Sequence, residues 1–438
     1  MTINLKNLLN PNIKISKMGD FQELKRIEGL SISAVSADLY GDGRDDLSLF
    51  YFKDGAKYAV LYTKSKIVSE SIHWNLKVKN KLMKALLVNT KNANTFTGKQ
   101  GFQGLKELSK SLSKHLTLKL AQAPEGVRDA IDPNEIIFAS TGVIGDVFPT
   151  EKIKERIPYL VQNLKDNQNK YVWFKAASSI LTTDTRPKLA FEECEIGNKK
   201  IKISAIAKGS GMIAPNLSSG HATMLAFIFT DANIPKNIIN KILLDGIQHS
   251  FNSITVDGDT STNDSVFFTA TCKKKNVSIN SFKNNKYKKF VKQFNNLLLD
   301  LAKQIVKDGE GAKKIIKISV KNAKTYLIAK NIALSVANSL LVKTLFNSNE
   351  LNFGRIFMAI GKSNEIIDQE KISFSLDNYL LAKNGELLIK NNANKIKKLM
   401  NKKELSLEIN LNNGKSQSTV YTCDLTNEYI KINTNYLT

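Results

Sequence analysis

Residues 208–231 read K-G-S-G-M-I-A-P-N-L-S-S-G-H-A-T-M-L-A-F-I-F-T-D, a Gly-rich loop that runs without pause into the apolar stretch Met224 to Phe229. At the join stands Ala222-Thr223, a small residue followed by a β-hydroxyl. A break in the chain there would make Thr223 an N-terminal residue carrying its nucleophile and its base together. A free α-amine has a pKa of roughly 7.7–8.0, so near neutral pH part of it can take the Oγ proton. An internal threonine has no such base built in. The chemistry indicated is covalent acyl transfer or hydrolysis, and the rest of the chain reads as a frame for this bond.

Other stretches could serve the same chemistry. Residues 135–145 give a buried strand followed by Ser140-Thr141-Gly142. A hydroxyl beside a glycine amide at a strand end can form an oxyanion hole, which needs donors about 3 Å from the developing charge. A plain strand-to-helix turn uses the same residues. Leu181 to Lys188 (L-T-T-D-T-R-P-K) is a hydroxyl-rich loop, and the Asn- and Thr-rich residues 89–98 suggest a loop near a site. Asp257, Asp259 and Asp264 could meet a metal ion, but no His or Cys joins them, and they read rather as capping or turn residues. Residues 38–46 look superficially like a calcium loop, without the EF-hand spacing or its closing Glu, and read as a turn.

Periodicity supplies the positioning elements. Ser31 to Tyr40 and Asp46 to Phe52 alternate at strand period around the turn Gly41-Asp42-Gly43, and Ala85 to Asn89 is a short apolar run. Helical spacing covers 101–120, and Pro149 with Glu151 opens a further helix. Tyr171 to Leu181 reads as helix, 188–193 and 200–207 as a strand pair, and 235–251 as an amphipathic helix. A strand and loop are expected over 253–264, a long helix over 286–307 ended by Gly309, and a link holding Glu310. A strand over 314–320, one helix over 323–346 and a mostly β-like final third complete the pattern.

Composition bounds the function. The chain has 438 residues, enough for two or three lobes, and 42% hydrophobic content is ordinary for a globular protein. No apolar run approaches the ~20 residues that span a bilayer, and the N-terminal segment lacks secretory features, so a cytoplasmic protein without a membrane partner is expected. Three scattered cysteines (Cys194, Cys272, Cys423) suit reduced thiols rather than disulfides or zinc. The net charge of +24 comes almost wholly from dispersed lysines among many asparagines; Arg, which reads bases and phosphates bidentately, is scarce, and no nucleic-acid partner is expected.

Taken in order, S-T-G-V-I-G (140–145), T-T-D-T-R-P-K (182–188), the segment 208–231 and D-G-D-T-S-T-N-D (257–264) resemble the ornithine acetyltransferases, or glutamate N-acetyltransferases, of arginine biosynthesis. The likeness runs nearly end to end, with residues 89–98, 341–356 and 429–438 similar to the family's Asn-rich loop, late helix and chain end. It implies an α/β fold of two unequal lobes whose mixed sheets are covered by helices. It implies self-cleavage at Ala222-Thr223 into an α chain, 1–222, and a β chain, 223–438, associated as two α and two β chains. Thr223 would take acetyl from N-acetylornithine and pass it to glutamate, with no cofactor; acetyl-CoA serves some members as co-substrate. By motif, Thr141 and Gly142 would form the oxyanion hole, Lys208 would meet a substrate carboxylate, and Thr182, Thr183, Glu310, Asn433 and Thr438 would build the substrate pocket.

The chain departs from the family in one telling place. Ser218, Ser219, Gly220 and His221 stand as an insertion just before the scissile bond, and Phe353 replaces a Trp. Self-cleavage depends on placement of that peptide, and a misplacement of about 1 Å can cost ~10²-fold in rate. Two other readings follow: an N-terminal-nucleophile amidase or aminopeptidase that hands the acyl group to water, and an uncleaved, inactive homologue.

Overall fold

The computed structural model describes residues 21–78, 82–122, 130–215, 224–282, 284–348, 350–388 and 393–435. In chain order the first lobe holds β1 (Ser31–Val35), β2 (Leu47–Tyr62), α1 (Glu70–Lys77), β3 (Met83–Asn89), α2 (Gly98–Ala121), β4 (Ile136–Ser140) and α3 (Thr150–Gln162). It continues with α4 (Lys170–Ser179), β5 (Lys188–Ile196), β6 (Lys199–Lys208), β7 (Leu225–Thr230), α5 (Lys236–Gln248), β8 (Ser265–Ala270) and α6 (Asn285–Lys307). Its eight strands form one sheet ordered β4-β3-β2-β8-β7-β6-β5, with β1 also paired to β2.

That sheet folds over at β2. Residues 47–51 of β2 lie between β1 and β3, while 57–62 pair with β8. The register breaks between Tyr51 and Ala56, around Gly55 at φ 75°. The two wings then face each other: the Phe50 ring meets Phe227 and Phe229 of β7 at 5.5 and 5.0 Å between centroids. Helices α1 to α3 cover the outer face of the first wing and α5 and α6 that of the second, giving four layers. This explains why β7 is apolar throughout. Its Ala226 and Ile228 pack towards α5 and α6, and Leu225, Phe227 and Phe229 pack into the space between the wings, so both faces are buried.

The second lobe is smaller. It comprises β9 (Ile315–Ala323), α7 (Tyr326–Ala337), α8 (Leu340–Ser348), α9 (Gly354–Gly361), β10 (Ser373–Leu376), β11 (Tyr379–Lys383), β12 (Glu386–Leu387), α10 (Ala393–Met400), β13 (Glu404–Asn410) and β14 (Ser416–Cys423). Six strands run β12-β11-β10-β13-β9-β14, with α7 to α10 packed on them. The chain then returns to the first lobe through α11 (Asn427–Asn435). Two unequal lobes with mixed sheets under helices match the expected fold class.

Four local expectations need correction. The first strand stops at Val35, because the Asp46 carboxylate takes the amides of Ala37 (2.6 Å) and Leu39 (2.7 Å) and turns the chain. The helix expected over 323–346 is two, broken where Asn338 accepts from Thr255 Oγ1 (2.7 Å) and Ser339 Oγ caps the start of α8. Residues 253–264 form only the bridges Ile254–Tyr421 and Thr260–Ile213; the strand begins afterwards, at Ser265. The final third mixes strands with α9, α10 and α11 rather than being mostly β.

Candidate active site

At the end of β4, Thr141 N donates to Asn89 O (3.1 Å) and Val143 N to Lys91 O (2.9 Å), so the Ser-Thr-Gly turn is stitched to the loop after β3. Gly142 sits at φ 133°, where a side chain is strained. A Cβ there would stand 2.2 Å from the Lys91 carbonyl carbon, which leaves room for glycine alone. Among the described residues the Gly142 N–H finds no acceptor, as an oxyanion donor requires. The Asn-rich loop acts behind the turn. Ser140 Oγ donates to Asn89 Oδ1 (2.7 Å), and Asn263 Nδ2 to the carbonyls of Ala93 and Ser140.

Lys208 ends β6 and reaches across to that turn. Its Nζ donates to Thr141 Oγ1 (3.1 Å) and Thr182 Oγ1 (2.9 Å). Enclosure pushes its ammonium below the usual lysine range, and Asp184 works against that shift. Thr183 shares a hydroxyl–hydroxyl bond of 2.8 Å with Ser210.

Behind these groups lies a buried ion cluster that the sequence reading did not single out. Lys188, fully buried, donates to Asp184 and to Asp308. Asp184 also accepts from Gly209 N (2.6 Å) and Thr182 N (3.2 Å), and Asp308 from Thr185 N (3.0 Å). One cluster therefore fixes the 182–185 loop, the exit of β6 and the end of α6. Burial alone would raise the Asp184 carboxyl, but Lys188 and then Lys208 outweigh it and hold it at about 2 against an ordinary 3.8. A depressed carboxyl contributes its stability in full above pH 3.8 and loses it as the pH falls through about 2. Acid unfolding followed by circular dichroism is expected to steepen over that window, and Asp184→Asn to lose that part of the pH dependence.

Glu310 follows α6 in a turn. Its amide donates to Ser210 O (3.0 Å), and its Oε2 accepts from Asn433 Nδ2 of α11 (2.7 Å). Its carboxyl lies so close to Gly211 that a Cβ on that glycine would fall 2.4 Å from it. Asp257 takes the amides of Met212 (2.6 Å) and Ile213 (2.8 Å), the capping duty expected of it. Among the described residues no cluster of His, Cys, Asp or Glu has the arrangement of a metal site.

Thr141, Gly142, Thr182, Thr183, Lys208, Glu310 and Asn433 thus meet in one cavity of about 180 Å³ in the first lobe, bordered by α11, together with Met224. Ala222, Thr223 and Thr438, and the inserted Ser218 to His221, lie outside the described residues. Sequence reasoning missed Tyr40, Lys91, Asn263 and Tyr429 as lining groups. Tyr40 stacks under the cations of Arg44 and Lys91, an aromatic in a turn that no spacing rule marks. The arrangement brings hydroxyl donors, the Gly142 N–H, the Lys208 ammonium and the Glu310 carboxylate to one cavity. It suits an acyl group flanked by a carboxylate and an amine.

The sequence matches the ArgJ family over residues 31–438. It is 38% identical over 415 residues to the arginine biosynthesis bifunctional protein ArgJ of Gluconobacter oxydans, covering 94% of this chain and 93% of that one. The protein of the same name from Bartonella henselae is 36% identical over 437 residues, with both chains covered in full. Among solved structures, the ArgJ of Bacillus halodurans is 35% identical, covers 49% of this chain and all of that one, and has a TM-score of 0.47.

Proposed function

The chain belongs to the ArgJ family, and from that premise we propose how its residues carry out the work of an acyltransferase in arginine biosynthesis. The enzyme is a glutamate N-acetyltransferase. In our reading Thr223 Oγ first attacks the carbonyl carbon of Ala222, shifting the acyl group from nitrogen to oxygen. Water hydrolyses that ester, leaving a carboxylate on Ala222 and a free amine on Thr223, and so the α chain 1–222 and β chain 223–438.

Thr223 Oγ then attacks the acetyl carbonyl of N-acetylornithine as its α-amine takes the hydroxyl proton. The Thr141 hydroxyl and Gly142 N–H receive the oxyanion. Collapse returns the proton to the departing amine of ornithine and leaves an acetyl ester on Thr223, which the amine of glutamate attacks in turn. Lys208 pairs with the substrate carboxylate and Glu310 with the side-chain ammonium of ornithine, while Thr182, Thr183, Asn433 and Thr438 complete the pocket. Two α and two β chains form the assembly.

What supports this assignment is the convergence of seven of these residues, from five separate stretches, on one cavity beside Met224, the residue that follows Thr223. The test is ornithine release from N-acetylornithine with and without glutamate. Glutamate-dependent release with matching N-acetylglutamate is expected; equal release without glutamate, with free acetate, would mark an amidase instead. Lys208→Ala is expected to raise KM for both amino-acid substrates about 10- to 100-fold, the loss of one charged hydrogen bond, with a smaller change in kcat.

A further inference from the structure

We propose that Lys91 is a specificity-determining residue for the acceptor half of the reaction, the cation that receives the side-chain carboxylate of glutamate. The proposal rests on the acetyltransferase reading above, which asks one cavity to take two substrates of opposite side-chain charge. N-acetylornithine brings an ammonium at its far end, and glutamate brings a carboxylate there. Glu310 suits the first and repels the second.

The cavity holds few groups that could correct this. Four carboxylates line it, Asp257, Asp259, Asp264 and Glu310, against two cations, Lys91 and Lys208. Lys208 is enclosed, donates to the hydroxyls of Thr141 and Thr182, and has Asp184 as a neighbouring counter-charge. Its substrate partner in our reading is the α-carboxylate that both amino acids share. Lys91 is half-buried, and among the described residues its Nζ meets the face of Tyr40, 5.6 Å from the ring centroid, and no carboxylate. The other cation on that ring, Arg44 at 4.2 Å, is already paired with Asp42 (2.6 Å). Tyr40 and Lys91 both line the cavity, so the ammonium is held on its wall. A lysine resting on an aromatic face keeps its N–H donors for an incoming anion.

The backbone sets Lys91 beside the oxyanion turn. Its carbonyl accepts from Val143 N (2.9 Å), Asn92 bridges to Val143, and a Cβ on Gly142 would fall 2.2 Å from the Lys91 carbonyl carbon. These contacts hold Lys91 at φ 70°, a left-handed conformation that glycine takes freely and that strains a residue with a side chain. Strain of this kind gathers at functional sites, and here it places a cation that glycine would lack. A glutamate whose amine attacks an acetyl group at the Gly142 amide carries its second carboxylate only two methylenes beyond its α-carbon. That carboxylate lies within the sweep of a lysine anchored next to the same amide. Glu310 is held elsewhere, against Gly211 and by Asn433, so each charge has its own support.

The experiment measures acetyl transfer from N-acetylornithine by the full-length enzyme to glutamate and, separately, to glutamine, which has the same shape without the charge. In double-displacement kinetics kcat/KM for each substrate reports its own half of the reaction. The wild type should favour glutamate over glutamine about 10- to 100-fold in kcat/KM, the contribution of one charged hydrogen bond. Lys91→Gly relieves the left-handed strain, and Lys91→Met keeps the aliphatic stem. Each should lower kcat/KM for glutamate by about 10- to 100-fold and bring the glutamate-to-glutamine ratio to within a few-fold of one. The value for N-acetylornithine should rise up to a few-fold, since a charge that repels its ammonium is gone. Lys91→Arg should keep most of the preference for glutamate. A ratio that stays at the wild-type value in both neutral variants overturns the proposal, as does an equal fall for both substrates, the mark of a merely structural role. A wild type that transfers acetyl to neither acceptor would instead defeat the acetyltransferase reading, and this inference with it.

Discussion

Thr223→Ala is expected to leave the purified protein as a single species of 48.8 kDa, where the wild-type chain is expected to give two fragments of about half that mass. Acetyl transfer should fall by a factor on the order of 10⁵–10⁶, because the proposed nucleophile and the origin of its base are lost in one substitution. Mass spectrometry under denaturing conditions, followed by the ornithine-release assay, checks both parts. The smaller-numbered fragment of the wild type should end at Ala222. Thr223→Ser, which keeps a hydroxyl, should retain cleavage at a reduced rate. A single full-length species from the wild type would mean that Ser218 to His221 relax the scissile peptide out of its reactive placement. The acetyltransferase machinery would then survive in sequence but not in use.

The second large effect is expected from Lys188→Met, a residue that does not line the cavity. The substitution leaves the side chains of Asp184 and Asp308, both almost wholly buried, without the cation between them. Losing one partner of a buried charge cluster typically costs about 3–5 kcal/mol, most of it from the uncompensated charges left behind. Chemical denaturation should report that loss. Adding Asp184→Asn should return part of it, since a neutral amide needs no counter-charge. Because Asp184 also holds the amides of Thr182 and Gly209, the folded Lys188→Met protein should bind both substrates more weakly. Unchanged stability would mean the cluster is not held as an ion triad.

The residues that touch substrate in this scheme were legible where a motif fixes a backbone conformation. Thr141-Gly142 is such a case, since the glycine needs a left-handed φ, whereas Lys208, at the end of β6, was marked by the family resemblance alone. The groups behind them were not legible. Lys188 reads as the polar start of a strand, and its partners Asp184 and Asp308 stand 4 and 120 residues away. Asp264 reads as one more acid in a polar loop, and only the parallel register of β7 and β8 brings it to the junction at Met224. The same limit applied to the fold. The strand reading ended at Phe52, before the polar Lys53-Asp54-Gly55, whereas β2 runs on to Tyr62 and doubles back around Gly55. The break at Asn338-Ser339 hides inside a helical pattern because it is made by a contact from Thr255, a partner with no sequence proximity.

β7 and β8 sit between β2 and β6, so the proposed cut leaves a single hydrogen-bonded sheet woven from two polypeptides. An uncut Thr223→Ala assembly would come apart into two chains on melting. A processed enzyme would come apart into four, so its midpoint should rise more steeply with protein concentration than that of Thr223→Ala. Such processing would turn the folding of one chain into an encounter between two partial chains, each exposing strands that were never meant to be edges. For the mature enzyme, durability is then a matter of how slowly the sheet opens rather than of how readily it re-forms.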